Sequence, residues 1–206
     1  MPLQNRVDPS GRIHAVAARG LFTGNRGVIH DPQTRTLLSR RWTTKAWIIC
    51  TLEHPRGVKR DPMGRNAPSG GPGWTELFFL DEVTALAAGH RPCFYCRREA
   101  AAVFLACSGK PNAPALDATV HEQRTTSRPR LDATEIAALP DGTAIGIGDS
   151  AFMVRYGTAM PWSFSGYGPA RSLPEAALLL TPMANVMALK AGYEPLWHAT
   201  GAHMPA

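Results

Sequence analysis

The chain has 206 residues, of which 44% are hydrophobic, and a formal net charge of +6. That length suits one large domain or two small ones, each with a hydrophobic core. No stretch approaches the roughly 20 uninterrupted apolar residues of a membrane span, so membrane-spanning classes are excluded and we expect no membrane partner.

The amino-terminal segment, MPLQNRVDPSGR, lacks the apolar core of a secretion signal, so we expect a cytoplasmic protein. The chain contains four cysteines. In a reducing compartment, a closely spaced cysteine pair indicates metal or redox chemistry rather than a structural disulfide.

Two short strands are predicted on either side of a long loop in the first half. The run KAWIIC, residues 45–50, is apolar and β-branched enough for a buried strand, and TELFF, residues 75–79, predicts another. Between them, residues 55–73 are rich in proline and glycine and predict a long exposed loop that carries four basic residues.

Two helices are predicted next along the chain. Asp81 is suited to cap a helix over EVTALAA, residues 82–88, and Gly89 is suited to end it. A second helix is predicted over residues 97–107. Residues 108–114, SGKPNAP, then predict a linker.

The remaining sequence predicts a small β-rich part that ends in a helix. Residues 139–157 predict a hairpin, and residues 177–181 predict a further strand. Thr181 and Pro182 mark the start of the last helix, and Gly192 marks its end. The whole pattern predicts an α+β protein with two parts, residues 1–110 and residues 111–206.

A pair of cysteines, Cys93-Phe94-Tyr95-Cys96, has a spacing that turns two sulfur atoms toward one point, as in half of a tetrahedral zinc site. Thioredoxin-like redox pairs share this spacing, but such a pair opens a helix directly after a strand. Here residues 89–92 precede the pair in a predicted loop, which favours metal.

The second half of a zinc site is predicted at Cys50 and His54, at the end of the first predicted strand. Three thiolates and one imidazole form a well-known structural zinc set. The alternative is a buried Cys50 and a surface His54 without metal. We expect one structural Zn²⁺, with the ligands Cys50, His54, Cys93 and Cys96.

The segment ELFFLDEVTALAAGHRPCFYCRRE, residues 76–99, resembles the metal-binding domain of Ada, the DNA methylphosphotriester-repair domain of the bacterial adaptive-response protein. In that family an aromatic strand end leads through a short alanine-rich helix to Arg-Pro, Cys-x2-Cys and a basic residue. The family's other two zinc cysteines lie upstream as Cys-x3-Cys, where residues 50–54 fall. The resemblance covers about residues 42–106, and it implies a zinc module that faces DNA.

Two departures from the family pattern concern the upstream part. His54 stands where the family has a cysteine, and the loop before Trp74 is longer than usual. The resemblance places Cys50 at the methyl-accepting cysteine. A neutral imidazole makes the zinc site less negative than four thiolates do, so we expect a weaker sulfur nucleophile. Zinc binding is therefore expected from the resemblance, and methyl transfer to Cys50 is not.

The charge is concentrated in the zinc-bearing half. Residues 1–110 contain 16 Lys and Arg against 8 Asp and Glu, whereas residues 111–206 contain 6 against 8. A basic half is typical of polyanion binding, and also of a surface whose charge serves solubility. The leading hypothesis is a zinc-stabilised protein that binds DNA or RNA, with a role in DNA repair or modification. Six residues are expected to contact phosphates: Arg56, Lys59, Arg60, Arg65, Arg97 and Arg98.

The competing hypothesis is an enzyme for a small substrate, with a structural zinc and an acid/base site at the seam between the two halves. Asp117 and His121 are i, i+4 neighbours, so the carboxylate can orient the imidazole, and Glu122 lies beside them. The plainer explanation is a solvated helix face.

A further candidate set lies near the amino terminus. Asn25, Arg26 and His30 fall in GNRGVIH, and glycine-rich turns expose backbone N–H groups that bind anions. A purely structural turn is the plainer explanation. Both hypotheses of function stay open on the sequence alone.

Overall fold

A computed structural model of the chain contains two six-stranded sheets and six helices in its described part, which confirms the α+β class. The structure describes residues 1–53, 57, 63, 67 and 69–202. None of the helices within those residues has the length and apolar character needed to cross a membrane.

The first sheet is built from the first half of the chain. Its strands are β1 (Arg6–Val7), β2 (Ile13–His14), β3 (Phe22–Asn25), β4 (Ile48–Thr51), β5 (Leu77–Phe79) and β6 (Arg91–Pro92). Their order across the sheet is β2-β1-β5-β3-β4-β6. The pairs β1–β5 and β4–β6 are parallel, and the other neighbours are antiparallel. The strands predicted over residues 45–50 and 75–79 are β4 and β5.

The helices of the described residues are α1 (Glu82–Ala87), α2 (Arg98–Cys107), α3 (Ala113–Thr125), α4 (Ala133–Ala137), α5 (Met183–Lys190) and α6 (Ala199–Ala202). Helix α1 begins as predicted, because the Asp81 carboxylate accepts a hydrogen bond from the backbone N–H of Thr84 at 2.8 Å. It ends before Gly89, whose φ of +80° suits a residue without a side chain.

The predicted linker over residues 108–114 is wrong at its end. Helix α3 already begins at Ala113, because the Asn112 side chain accepts a hydrogen bond from the backbone N–H of Ala115 at 3.0 Å. Pro114 then falls in the first helical turn, where a missing N–H costs nothing. The candidate residues Asp117, His121 and Glu122 thus lie on a helix of 13 residues.

The second sheet comes from the second half of the chain and is antiparallel throughout. Its strands are β7 (Arg130–Asp132), β8 (Ala144–Ile147), β9 (Ser150–Arg155), β10 (Thr158–Ser163), β11 (Gly166–Tyr167) and β12 (Ala176–Leu179). Their order is β11-β10-β9-β8-β12-β7. Strands β8 and β9 form the predicted hairpin. Helix α5 begins one residue later than expected, with Pro182 as the residue that precedes it.

The hydrophobic core joins the two halves. One cluster packs Leu77 and Phe104 from the first half with Leu116 and Leu189 from the second. Another places α1 against the second sheet. Apolar side chains therefore pack continuously across the predicted boundary at residue 110.

Asp81 also binds the carboxyl-terminal segment. Its carboxylate accepts hydrogen bonds from the Tyr167 hydroxyl at 2.5 Å and from the backbone N–H of His198 at 2.9 Å. Burial raises the pKa of Asp81, and these hydrogen bonds act in the opposite direction. The residue that starts α1 thus also positions the second sheet.

Glu82 is fully buried beside it and carries a second set of contacts. Its carboxylate pairs with both terminal nitrogens of Arg97, at 2.6 and 2.8 Å, and accepts from the Tyr193 hydroxyl at 2.5 Å and from the backbone N–H of Leu196 at 3.0 Å. A buried ion pair is strongly destabilising when one partner is removed, because the other charge stays buried and unpaired.

We predict that Glu82→Gln lowers the free energy of unfolding by about 3 to 5 kcal/mol, because it leaves the Arg97 guanidinium without its counter-charge. Urea denaturation followed by circular dichroism measures the change. Glu122→Gln, the same substitution at an exposed residue of α3, is the matched control and should leave the unfolding midpoint nearly unchanged. Equal midpoints for Glu82→Gln and the original chain would contradict the prediction.

Candidate metal centre

Cys50 and Cys93 are brought together by backbone pairing. Strand β4 runs parallel to β6, so that Ile48 lies opposite Arg91 and Ile49 opposite Pro92. The backbone N–H of Cys93 continues the pairing by donating to the carbonyl of Ile49 at 3.0 Å. The next residue along each strand is therefore a cysteine, and both are buried.

Cys96 joins them through a tight turn. The backbone N–H of Tyr95 donates to the Cys93 sulfur at 3.4 Å, and the N–H of Arg97 donates to the Cys93 carbonyl at 2.8 Å. The sulfur atoms of the three cysteines lie within 4.8 Å of one another. Zinc–sulfur bonds of about 2.3 Å place tetrahedral sulfur atoms roughly 3.8 Å apart, so these three are close enough to bind one metal ion.

The protonation of the cluster also suits a metal. A hydrogen bond from Cys50, helped by the backbone N–H groups of Cys96 and Tyr95, lowers the pKa of Cys93 to about 5. The same contact, together with burial, raises the pKa of Cys50. The cluster thus stabilises a thiolate at Cys93, and the thiolate is the form of cysteine that binds metals.

The fourth predicted ligand, His54, lies outside the described residues, so its role as a ligand stays a prediction. All four cysteines are described, and each is free rather than in a disulfide. Cys107 lies at the end of α2, where its sulfur contacts the carbonyl of Ala191 at 3.6 Å. The described ligand set is therefore Cys50, Cys93 and Cys96.

The predicted phosphate contacts divide into three groups. Four of them lie outside the described residues: Arg56, Lys59, Arg60 and Arg65. Arg98 is exposed at the first position of α2. Arg97 requires a correction, because its side chain is only 8% exposed, is paired with Glu82 and lies over the ring of Phe22 at 4.8 Å. The Arg97 guanidinium therefore makes its contacts inside the protein and does not face a phosphate at the surface.

The predicted acid/base pair on α3 does not form. The Asp117 carboxylate instead binds Arg91 through two hydrogen bonds, at 2.7 and 2.8 Å. His121 has its Nδ1 at 3.0 Å from Arg124 and its ring at 4.5 Å from Trp42, edge to face. Burial and the charges of Arg124 and Lys45 lower the pKa of His121. Among the described residues, the Asp117 carboxylate therefore does not orient the His121 imidazole, which was the premise of the enzyme hypothesis.

Glu122 is exposed on the same helix. A cleft of about 80 Å³ lies at the carboxyl end of α3, lined by Gln123, Arg124, Arg128 and residues around 179–183. Asp117, His121 and Glu122 all belong to the described part of the chain, and they do not line this cleft. The predicted catalytic residues therefore do not converge on this cleft.

The predicted anion-binding turn is a buried structural element. His30 is fully buried, with Nδ1 at 3.0 Å from the Thr75 hydroxyl and Nε2 at 2.9 Å from the carbonyl of Gln4, and burial lowers its pKa. The buried side chain of Asn25 accepts from the backbone N–H of Gly27 at 3.3 Å. These contacts lie inside the protein, so neither residue presents a surface for an anion.

Arg26 is buried as well. It stacks on the Trp47 ring at 3.9 Å, donates to the carbonyl of Gly11 at 3.0 Å and contacts His90. Burial, followed by the charge of Arg124, lowers its pKa to about 9. Arg124 lies over the same Trp47 ring at 3.7 Å. The two guanidinium groups thus pack on one indole, a structural role that the sequence pattern did not indicate.

Three exposed aromatic residues that adjoin predicted site residues were not themselves predicted to belong to a site. Phe94 and Tyr95 lie inside the turn between the two cysteines, and Trp42 precedes β4. The sequence contained a signal for the exposure of Phe94 and Tyr95, because a turn that directs both sulfur atoms inward directs the residues between them outward. Nothing in the sequence around Trp42 indicated its exposure.

Comparisons of the chain with protein-family models, with curated proteins and with solved structures find no match. Membership of the Ada-type family therefore stays a prediction that rests on the residues quoted above.

We predict that Cys93→Ser abolishes metal binding, because it removes the thiolate that the turn and Cys50 stabilise. Metal content per chain, measured by inorganic mass spectrometry after dialysis, and the thiolate-to-cobalt absorption of protein loaded with Co²⁺ report the loss. Cys107→Ser, the same substitution at the cysteine outside the cluster, should keep one ion per chain. A Cys93→Ser protein that retains the ion would overturn the assignment of this site.

Proposed function

We propose that the protein is a zinc-stabilised nucleic-acid-binding protein that works in DNA repair or modification. The observation that carries the proposal is the convergence of three thiols, from two distant segments of the chain, in the half that carries the positive charge. Three clustered thiolates are a donor set that suits Zn²⁺, which is bound tetrahedrally by sulfur and nitrogen ligands. His54 is the fourth ligand in this proposal.

In this proposal the zinc ion has a structural role. It would tie the end of β4 to the turn that follows β6 and leads into α2. A metal that holds such segments together contributes its binding free energy to folding. Cys50 is buried on the sheet, and a buried sulfur is poorly placed to accept a methyl group from a nucleic acid. Methyl transfer is therefore not part of the proposal.

The nucleic-acid part of the proposal is supported by charge and by the Ada-type resemblance. Arg98 is exposed two residues after Cys96, and the basic segment over residues 55–73 is joined to β4, the strand that carries Cys50. Cations close to a metal-fixed turn can neutralise phosphates independently of base sequence. The enzyme hypothesis gains no corresponding support, because Asp117 is bound to Arg91 and His121 contacts Arg124 instead of the two residues contacting each other.

We predict measurable binding of DNA or RNA at about 50 mM salt, with an affinity that falls steeply as salt rises. Arg98→Ala should reduce the slope of log affinity against log salt by about one, because it removes one phosphate contact. Fluorescence anisotropy of a labelled oligonucleotide measures both quantities.

Arg171→Ala, at an exposed arginine in the second half, is the matched control and should leave the slope unchanged. Undetectable binding of both DNA and RNA at about 50 mM salt, where such contacts are strongest, would end the proposal.

A further inference from the structure

A series of side-chain contacts connects the exposed aromatic residues of the Cys93–Cys96 turn with the exposed Trp42. Phe94 and Tyr95 are 37% and 57% exposed in the turn between Cys93 and Cys96. The Arg91 guanidinium lies over the Phe94 ring at 5.5 Å. The series of contacts thus begins at the turn that holds two of the three cysteines.

Helix α3 continues the series of contacts. Arg91 is bound to Asp117, and His121 follows Asp117 by one helical turn, a rise of about 6 Å on the same face. The His121 ring meets Trp42 at 4.5 Å, and Trp42 is 42% exposed. We name the surface formed by Trp42, His121, Phe94 and Tyr95, which the largely buried Arg91–Asp117 pair connects, the aromatic row.

Exposed cations and exposed carboxylates both border the aromatic row, the carboxylates at Glu99 and Glu122. Lys45 is exposed and close enough to His121 to influence its pKa, and Arg98 is exposed just beyond the turn. The carboxylate of Asp117 lies within the row, and Arg91 neutralises it through two hydrogen bonds. An occupant of this surface therefore meets aromatic rings together with the exposed cations Lys45 and Arg98.

We propose that the aromatic row binds single-stranded nucleic acid by stacking unpaired bases on Trp42, Phe94 and Tyr95, an inference that rests on the proposed function. Exposed rings interleaved with cations fit a chain whose bases offer flat π faces and whose phosphates carry negative charge. A duplex offers no free base faces to stack on these rings, because its bases are already stacked on one another. The thiol cluster contributes by fixing the turn that displays Phe94 and Tyr95.

The test compares an oligonucleotide of about 12 nucleotides, within the site sizes of known single-strand binders, with the same strand annealed to its complement. The full chain loaded with zinc is titrated into each, as DNA and as RNA, and anisotropy gives the dissociation constants. We expect the single strand to bind at least about tenfold more tightly than the duplex.

Two variants probe the rings directly. Tyr95→Leu and Trp42→Leu keep apolar bulk but remove the aromatic face, and each should weaken single-strand binding about tenfold without changing duplex binding. Tyr95→Leu also keeps the backbone N–H that donates to Cys93. The matched control is Tyr156→Leu, at a tyrosine that is 47% exposed in the turn between β9 and β10, and it should change binding less than about twofold.

A measurement on the unmodified chain does not require any variant to fold. Single strands carrying 5-iodouridine are cross-linked by light and the modified peptides are mapped. Cross-links at Trp42, Phe94 or Tyr95 support the aromatic row, and cross-links that map elsewhere in the chain and spare all three rings overturn it.

The two levels of the proposal fail differently. Equal affinity for single strand and duplex, with both leucine variants binding like the original chain, overturns the aromatic row and leaves the proposed function intact. Undetectable binding of every nucleic acid at about 50 mM salt overturns both.

Discussion

Strands β4 and β6 pair over only two residues each, yet this parallel contact decides where the cysteines lie. It places Cys50 beside Cys93, and the turn after β6 adds Cys96 to the pair. The chain between Cys50 and Cys93 is long, but closing a long loop costs little more than closing a shorter one. The three sulfur atoms are therefore close enough to share a metal ion, and the turn that carries Phe94 and Tyr95 and leads into α2 follows directly from this strand pairing.

Three arginines of the first half make their main contacts inside the protein. Arg26 is stacked on Trp47, Arg97 is paired with the fully buried Glu82, and Arg91 is bound to Asp117. Such guanidinium groups fix the packing of helices on the sheet and are not available to a phosphate. The excess of +8 in residues 1–110 therefore overstates the positive charge that a polyanion meets at the surface. For binding, exposed cations such as Lys45 and Arg98 matter more than the net charge of that half.

Elements with strong local signals were predictable. Asp81 and Gly89 mark the two ends of α1, and a hairpin around Gly148 follows from turn residues between apolar runs. The two-residue strands β1, β2, β6 and β11 were not predicted, because a segment that short has no periodicity and forms only where a neighbouring strand offers hydrogen bonds. The hydrophobic core shared by the two halves was also not predicted. The composition of the sequence changes near residue 110, whereas apolar packing continues across that position.

The sequence by itself determined the α+β class. For the candidate site, it determined the local chemistry, a Cys-x2-Cys spacing whose turn brings Cys93 and Cys96 together. The sequence also offered Cys50 as a ligand, but only the tertiary structure brings Cys50 to the pair, because that depends on the pairing of strands far apart in sequence. The tertiary structure also decided that Asp117 binds Arg91 instead of His121. Spacing along a helix shows which side chains share a face, but a closer or stronger partner on another element determines which contact forms.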